Sequence, residues 1–116
     1  MSLHVKRIYE DYQPQDGIRL LVDRVWPRGV SRSGAHLDGW LKEIAPSAEL
    51  RRWFGHRPER WDEFRRRYFG ELASHDEALE DLRKQMRRRR VSLLYGARDQ
   101  KFNNARALAE YLSRKR

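Results

Sequence analysis

The sequence contains no cysteine, which excludes disulfide bonds and thiolate chemistry. It also has no apolar run that approaches the roughly 18 residues of a membrane-spanning helix. A chain without disulfides or an apolar span is typical of the reducing cytoplasm. We therefore expect a cytoplasmic protein with no membrane partner.

The fingerprints of several cofactor and catalytic sites are missing as well. Neither the dinucleotide pattern G-x-G-x-x-G nor the phosphate-loop pattern G-x-x-x-x-G-K-[ST] occurs, and no serine lies in a G-x-S-x-G setting. The histidines lie far apart and form no His-Glu-x-x-His pattern; they are His4, His36, His56 and His75. We therefore predict no metal site and no cofactor.

Charge and aromatic content are abundant by contrast. The 116 residues include 26 Lys and Arg against 17 Asp and Glu, which gives a formal net charge of +9. Such a charge favours anionic partners such as nucleic acid or phosphorylated metabolites. Four Trp, five Tyr and four Phe supply enough apolar surface to argue against a disordered chain.

Three apolar stretches predict β-strands, at residues 3–9, 19–25 and 91–96. The second stretch contains three consecutive apolar residues, Leu20, Leu21 and Val22. An uninterrupted apolar run is typical of a strand that is covered on both faces, as in a parallel sheet. Pro27 and Gly29 then end this strand.

Apolar residues at helical spacing predict five helices, whose stripes lie at residues 37–44, 50–54, 61–72, 79–86 and 105–112. Asp38 and Ser47 are placed to cap the first two. Ser74 and Glu77 match a capping box that opens the fourth.

The order of these elements predicts the fold class. Several helices separate the second strand from the third, and so long a crossover suits parallel pairing. We predict an α/β fold: a small Rossmann-like domain with a short, mainly parallel sheet and helices on both faces. No linker, repeat or low-complexity tract appears, so residues 1–116 are expected to form one domain.

Four segments resemble the DUF488 family, most closely its short YeaO-like members. They are residues 22–29 (VDRVWPRG), 40–47 (WLKEIAPS), 50–56 (LRRWFGH) and 93–95 (LLY), followed by Asn103. The resemblance implies a small Rossmann-like α/β fold, and it implies no established biochemical role. Many relatives carry His or Gln at the position of Phe102, so the resemblance assigns no proton-transfer residue there.

The ends of the second and third strands carry the candidate ligand site. In open parallel sheets, ligands bind at the carboxyl ends of strands. If the two strands are neighbours, their following loops share one rim, at which arginine forks can bind phosphate or carboxylate. The predicted ligand-binding residues are Arg24, Trp26, Arg28, Gly29, Tyr95, Arg98 and Asn103.

A purely structural interpretation of the same residues stays open. Asp23 can pair with Arg24 or Arg28, Trp26 can belong to the core, and Asn103 can cap the last helix. The two interpretations differ in whether the guanidinium groups face a ligand or internal partners.

Candidate catalytic residues are few. His56 lies in a segment that resembles the family, and imidazole is a common general acid or base; Asp99 is the second candidate. The arginines and aromatic residues between Arg51 and Trp61 suit base stacking, although their helical spacing favours a buried stripe with a solvated basic face. The sequence leaves open whether the protein is an enzyme.

Arginine runs provide an alternative function, a nucleic-acid-binding module without sequence preference. The residues concerned are Arg65, Arg66, Arg87, Arg88, Arg89 and Arg90. Nearby acidic residues can neutralise part of this surface through i,i+4 pairs. The primary hypothesis is binding, with or without processing, of an anionic, phosphate-bearing or nucleotide-like small molecule. A third hypothesis is a partner-binding or structural domain with no ligand.

Overall fold

A computed structural model describes residues 3–114. Four strands, β1 (Leu3–Arg7), β2 (Ile18–Leu21), β3 (Gly39–Trp40) and β4 (Val91–Tyr95), form one parallel sheet in the order β1-β4-β2-β3. The α-helices are α1 (Ala48–Phe54), α2 (Trp61–Leu72), α3 (Asp76–Arg88) and α4 (Asn104–Ser113). The predicted α/β class with a short parallel sheet is confirmed.

The central strands are apolar because both of their faces are covered. Leu20, Leu21 and Val22 are all buried, as is every residue of β4. The second strand is shorter than the predicted residues 19–25. Val22 N still donates to Leu94 O at 3.0 Å, but the chain then leaves the sheet at Asp23.

The α-helices are distributed differently from the prediction of helices on both faces. Buried residues of all four α-helices belong to one apolar cluster with Leu20, Val22 and Leu93. The opposite sheet face carries a smaller cluster around Leu21 and Leu94, to which loop residues contribute. Buried polar groups on the smaller face are hydrogen-bonded: Arg19 donates to the carboxylate of Asp16, and Ser92 donates to Asp16 O.

The predicted helix over residues 37–44 is wrong. This segment forms β3 and then a 3-10 turn, Lys42–Ile44. Asp38 is no helix cap: its carboxylate accepts from Arg19 N at 2.9 Å, and its own N–H donates to Arg19 O at 2.8 Å. Sheet pairing to β2 therefore takes the backbone groups that a helix would need. The helical spacing arose because Trp40 and Ile44 pack in different apolar clusters.

The helix starts agree with the sequence at α1 and differ from it at α3. Ser47 Oγ accepts from Leu50 N at 3.1 Å, so the predicted cap of α1 is confirmed. Its hydroxyl also donates to Glu71 at 2.6 Å, which ties α1 to α2. The predicted capping box of α3 is wrong, because His75 occupies the cap position and Ser74 Oγ donates to Glu71 O instead.

A buried ion pair supports the smaller face of the sheet. Arg19, only 2% exposed, donates to the carboxylate of Asp16 at 2.5 Å, and Lys6 lies 3.0 Å from the same group. Burial acts to raise the pKa of Asp16. The donations from Gln13 N, Lys6 and Arg19 outweigh it, so the pKa lies below its usual value.

We predict that Asp16→Asn lowers the free energy of unfolding at pH 7 by about 3 kcal/mol, because it leaves a buried guanidinium unpaired. A lowered pKa means that the stabilisation is present above the usual carboxyl range and is lost as pH falls through the native value. The difference in unfolding free energy between Asp16→Asn and the unmodified protein should therefore become smaller in acid. Urea unfolding between pH 7 and pH 2.5 measures this difference.

The matched control is Glu63→Gln. Glu63 accepts from Arg66 and Arg67 on the surface, and these contacts lower its pKa to about 2. Surface ion pairs contribute little because water screens them. Equal losses in the two variants would contradict the importance assigned to the buried pair.

Candidate functional site

The carboxyl ends of β2 and β4 lie side by side, and Asp23 joins them. Its Oδ2 accepts from Gly96 N at 2.9 Å, and its Oδ1 accepts from Asn104 Nδ2 at 3.0 Å. Asn104 Nδ2 also donates to Val22 O at 2.9 Å. One carboxylate therefore holds together the exits of two strands and the first turn of α4.

A cavity of about 220 Å³ opens next to this junction. Its wall combines residues after β2, the end of α1, a side chain of α2 and the start of α4. The lining residues are Asp23, Arg24, Val25, Pro46, Arg51, Phe54, His56, Phe64, Gly96, Ala97, Phe102, Asn103 and Asn104.

Arg51 contributes a positive charge to the wall of the cavity. It projects from α1 at the exposed side of the wall, and its guanidinium makes no hydrogen bond or ion pair within residues 3–114. The neighbouring Arg52 is equally exposed but does not line the cavity.

The electrostatic environment of Asp23 follows from this arrangement. Burial raises the pKa of its carboxyl. The donations from Asn104 and Gly96, and the electrostatic effects of the nearby Arg51 and His56 side chains, oppose that effect without cancelling it. The ionised form of Asp23 is therefore stabilised by the hydrogen-bond donors and the positive charge around it.

His56 reaches the cavity through an unusual turn. Gly55 ends α1 with φ 54°, and His56 follows with φ 57°, so two successive residues adopt left-handed conformations. Its ring lies 6.4 Å from that of Phe54. A non-glycine residue at positive φ is uncommon, and such residues concentrate where local geometry is constrained.

Aromatic rings form the apolar part of the wall. Phe54 and Phe64 are nearly fully buried, with centroids 4.5 Å apart. Phe102 is half-buried and packs against Trp61 at 5.4 Å. The cavity therefore combines a charged side and an aromatic side.

Two of the seven predicted ligand residues line the cavity. Arg24 donates to the carbonyls of Pro46 and Ala45, at 2.9 and 3.2 Å, and pairs with no carboxylate of residues 3–114. Asn103 caps α4: its side-chain oxygen accepts from Arg106 N at 2.9 Å. The structural interpretation of Asn103 therefore holds, and Arg24 has internal partners other than the expected ones.

The other five lie away from the cavity wall. Trp26 packs with Trp40 in the smaller apolar cluster, at a centroid distance of 5.3 Å, and donates to Val30 O. Tyr95 is buried in the larger cluster. The remaining three are exposed on the loops; they are Arg28, Gly29 and Arg98. Ligand binding by these five stays a prediction.

The second catalytic candidate, Asp99, shapes the loop before α4. Its Oδ1 accepts from Phe102 N at 3.0 Å and Lys101 N at 2.9 Å, and these hydrogen bonds lower its pKa. Asp99 does not line the cavity, whereas His56 does.

Sequence reasoning missed the residues that define the cavity most directly. Asp23 was considered only as an ion-pair partner, and Arg51 only as part of a basic cluster. Asn104 follows the predicted helix cap, and the sequence pattern does not show that its amide bonds to Val22 O and Asp23. Distinguishing Arg51 from Arg52 needs the direction in which α1 packs, which a pattern of one helix does not contain.

The arginines of the nucleic-acid alternative fall into two groups. On α2, Arg65 is bound to Asp62 and Glu110, and Arg66 to Glu63. At the end of α3, Arg87 reaches Glu80. Arg90 donates to Gln15 O at 3.0 Å. Two residues of the set, Arg88 and Arg89, are exposed, and their guanidinium groups make no hydrogen bond or ion pair within the described part of the chain.

Other classes of site receive no support from the coordinates. Across residues 3–114, no cluster of three or more metal-binding side chains occurs. No helix in the same range has the length and apolar character needed to cross a membrane.

The fold and the cavity define a small α/β protein with a mixed cationic and aromatic site at its strand ends. The model of the family described as "Inactive DUF488-N3 subclade" matches residues 2–116. The chain belongs to the DUF488 family.

Two relatives illustrate the similarity. The chain is 45% identical over 112 residues to the uncharacterized protein Rv3073c of Mycobacterium tuberculosis, covering 96% of this chain and 93% of that protein. It is 39% identical over 112 residues to the uncharacterized protein YeaO of Escherichia coli, covering 97% of each. No solved structure is a significant match.

We predict that Arg51→Gln raises the pKa of Asp23 further, because it removes the positive charge that favours the ionised carboxyl. Arg52→Gln, one residue along the same helix, should leave it unchanged. A raised native pKa means that folding favours protonation. Stability should therefore increase as pH falls from that raised value towards the usual 3.8. Carbon-detected NMR titration of Asp23 tests both statements, and equal shifts in the two variants would contradict them.

Proposed function

We propose that the protein binds a small anionic molecule, phosphate-bearing or nucleotide-like, in the cavity at the carboxyl ends of β2 and β4. The observation that carries this proposal is Arg51, whose guanidinium lines the cavity and has no partner within residues 3–114. Guanidinium groups bind phosphate and carboxylate through two parallel hydrogen bonds.

Further features of the cavity support the binding of an anion. Arg24 adds a second positive charge, and the first turn of α4 contributes the positive end of a helix dipole. Among residues 3–114, Asp23 is the only carboxylate in the wall, and both of its oxygens already accept hydrogen bonds. Positive charge therefore exceeds negative charge around the cavity.

Binding without chemistry is favoured over catalysis. Phe102 places a hydrocarbon ring in the cavity wall, at a position where the resemblance to the family leads us to expect His or Gln. A phenyl ring can neither donate nor accept a proton, so His56 lacks a second titratable group at that position. The description of the matching family model as an inactive subclade agrees with this interpretation.

We expect inorganic phosphate or a phosphorylated metabolite to raise the melting temperature of the protein, and Arg51→Gln to weaken binding about tenfold to a hundredfold. That range corresponds to one hydrogen-bonded charged contact of about 1.5–3 kcal/mol. Isothermal titration calorimetry gives the affinities. The matched control, Arg52→Gln, carries the same charge change outside the cavity and should bind like the unmodified protein.

Equal losses in the two variants would contradict the cavity and indicate a general effect of surface charge. The nucleic-acid alternative gives a different pattern. Its binding should fall steeply with salt, and Arg88→Gln combined with Arg89→Gln should weaken it while Arg51→Gln has little effect. If neither phosphate compounds nor nucleic acid bind, a partner-binding domain without a ligand is favoured.

A further inference from the structure

The cavity presents hydrogen-bond acceptors on one side. The two amide hydrogens of Asn104 are both used, by Val22 O and by Asp23 Oδ1. The amide is therefore fixed with its Oδ1 as a free acceptor within the described chain. A carboxylate offers about four acceptor positions, and the two donors bound to Asp23 leave others available.

Aromatic rings also line the cavity. Phe54, Phe64 and Phe102 line it, and Trp61 supports the last of these from behind. Aromatic side chains favour flat ligands, because stacked or edge-to-face rings gain about 0.5–1.5 kcal/mol beyond the burial of their area. An anionic group alone, such as phosphate, leaves this surface unused.

The size of the cavity limits the ligand. An engineered protein cavity of about 150 Å³ holds one benzene molecule. The present cavity, at about 220 Å³, therefore has room for one ring with small substituents. A whole nucleotide is larger than the cavity, so only one part of it can enter.

We propose that the ligand is a monocyclic anion: one planar ring that carries a carboxylate or phosphate and, in addition, an amino or hydroxyl donor. The anionic group binds Arg51 at the exposed side, the ring packs against Phe102, and the donor faces Asp23 and Asn104. This inference rests on the proposed function, because it requires the same cavity and the same arginine.

Calorimetry with a graded set of probes tests it. The set consists of acetate, benzoate, inorganic phosphate and phenyl phosphate, together with the monohydroxy and monoamino isomers of benzoate. We expect benzoate to bind more tightly than acetate. At least one hydroxy- or amino-substituted isomer should bind about tenfold more tightly than benzoate, because its donor bonds to an ionised acceptor.

Two variants show which side chains favour the ring of the ligand and which favour its donor group. Phe102→Ala should reduce the advantage of benzoate over acetate and leave acetate unchanged. Asp23→Asn should remove the advantage of the donor-bearing isomer over benzoate; the NMR spectrum checks that this variant is folded. If it is unfolded, Asn104→Ser, which removes the fixed amide acceptor, provides the same comparison.

The outcomes separate this inference from the proposed function. If acetate or phosphate binds through Arg51 but benzoate gains nothing, or no isomer exceeds benzoate, the monocyclic ligand is rejected and the anion cavity stands. If none of the probes binds, both are rejected. If Phe102→Ala leaves the ratios between the affinities of the probes unchanged, the ring does not pack against the aromatic residues, and the proposal fails.

Discussion

The carboxylate of Asp23 is the interaction on which the site depends. It lies where β2 leaves the sheet, and it accepts from the backbone after β4 and from the first residue of α4. Parallel strands alone align only their backbones. The buried carboxylate adds a specific connection between two loops that are about seventy residues apart in the chain and thereby fixes the floor of the cavity.

This connection has an energetic cost that explains the composition of the wall. Burial disfavours the ionised form of Asp23, and its pKa is raised although two donors contact it. The positive charge of Arg51 reduces the cost. An anion bound at Arg51 would offset part of that effect on Asp23. Binding of such an anion and the protonation of Asp23 would therefore be coupled through one guanidinium.

The sequence predicted those parts of the fold that depend on local pattern. The apolar run from Leu20 to Val22 indicated a strand covered on both faces, and Ser47 indicated the start of α1. The segment around Trp40 was misassigned because its neighbours pack against two different clusters, which mimics helical spacing. Asp38 decided the outcome by pairing with Arg19 across the sheet, a contact that only the tertiary fold brings about.

The candidate site shows more clearly how little of the tertiary structure a local sequence pattern predicts. The sequence predicts that the loops after β2 and β4 share one rim if the two strands are neighbours, and the structure pairs these strands in parallel. The sequence could not show which side chains turn inwards. Trp26 and Arg24 are two residues apart, yet Trp26 packs in the smaller cluster and only Arg24 lines the cavity. The cation best placed for a ligand is Arg51, which comes from a helix rather than from either loop. α1 packs against α2, and the bond from Ser47 to Glu71 joins the two helices. This packing places Arg51 at the wall of the cavity.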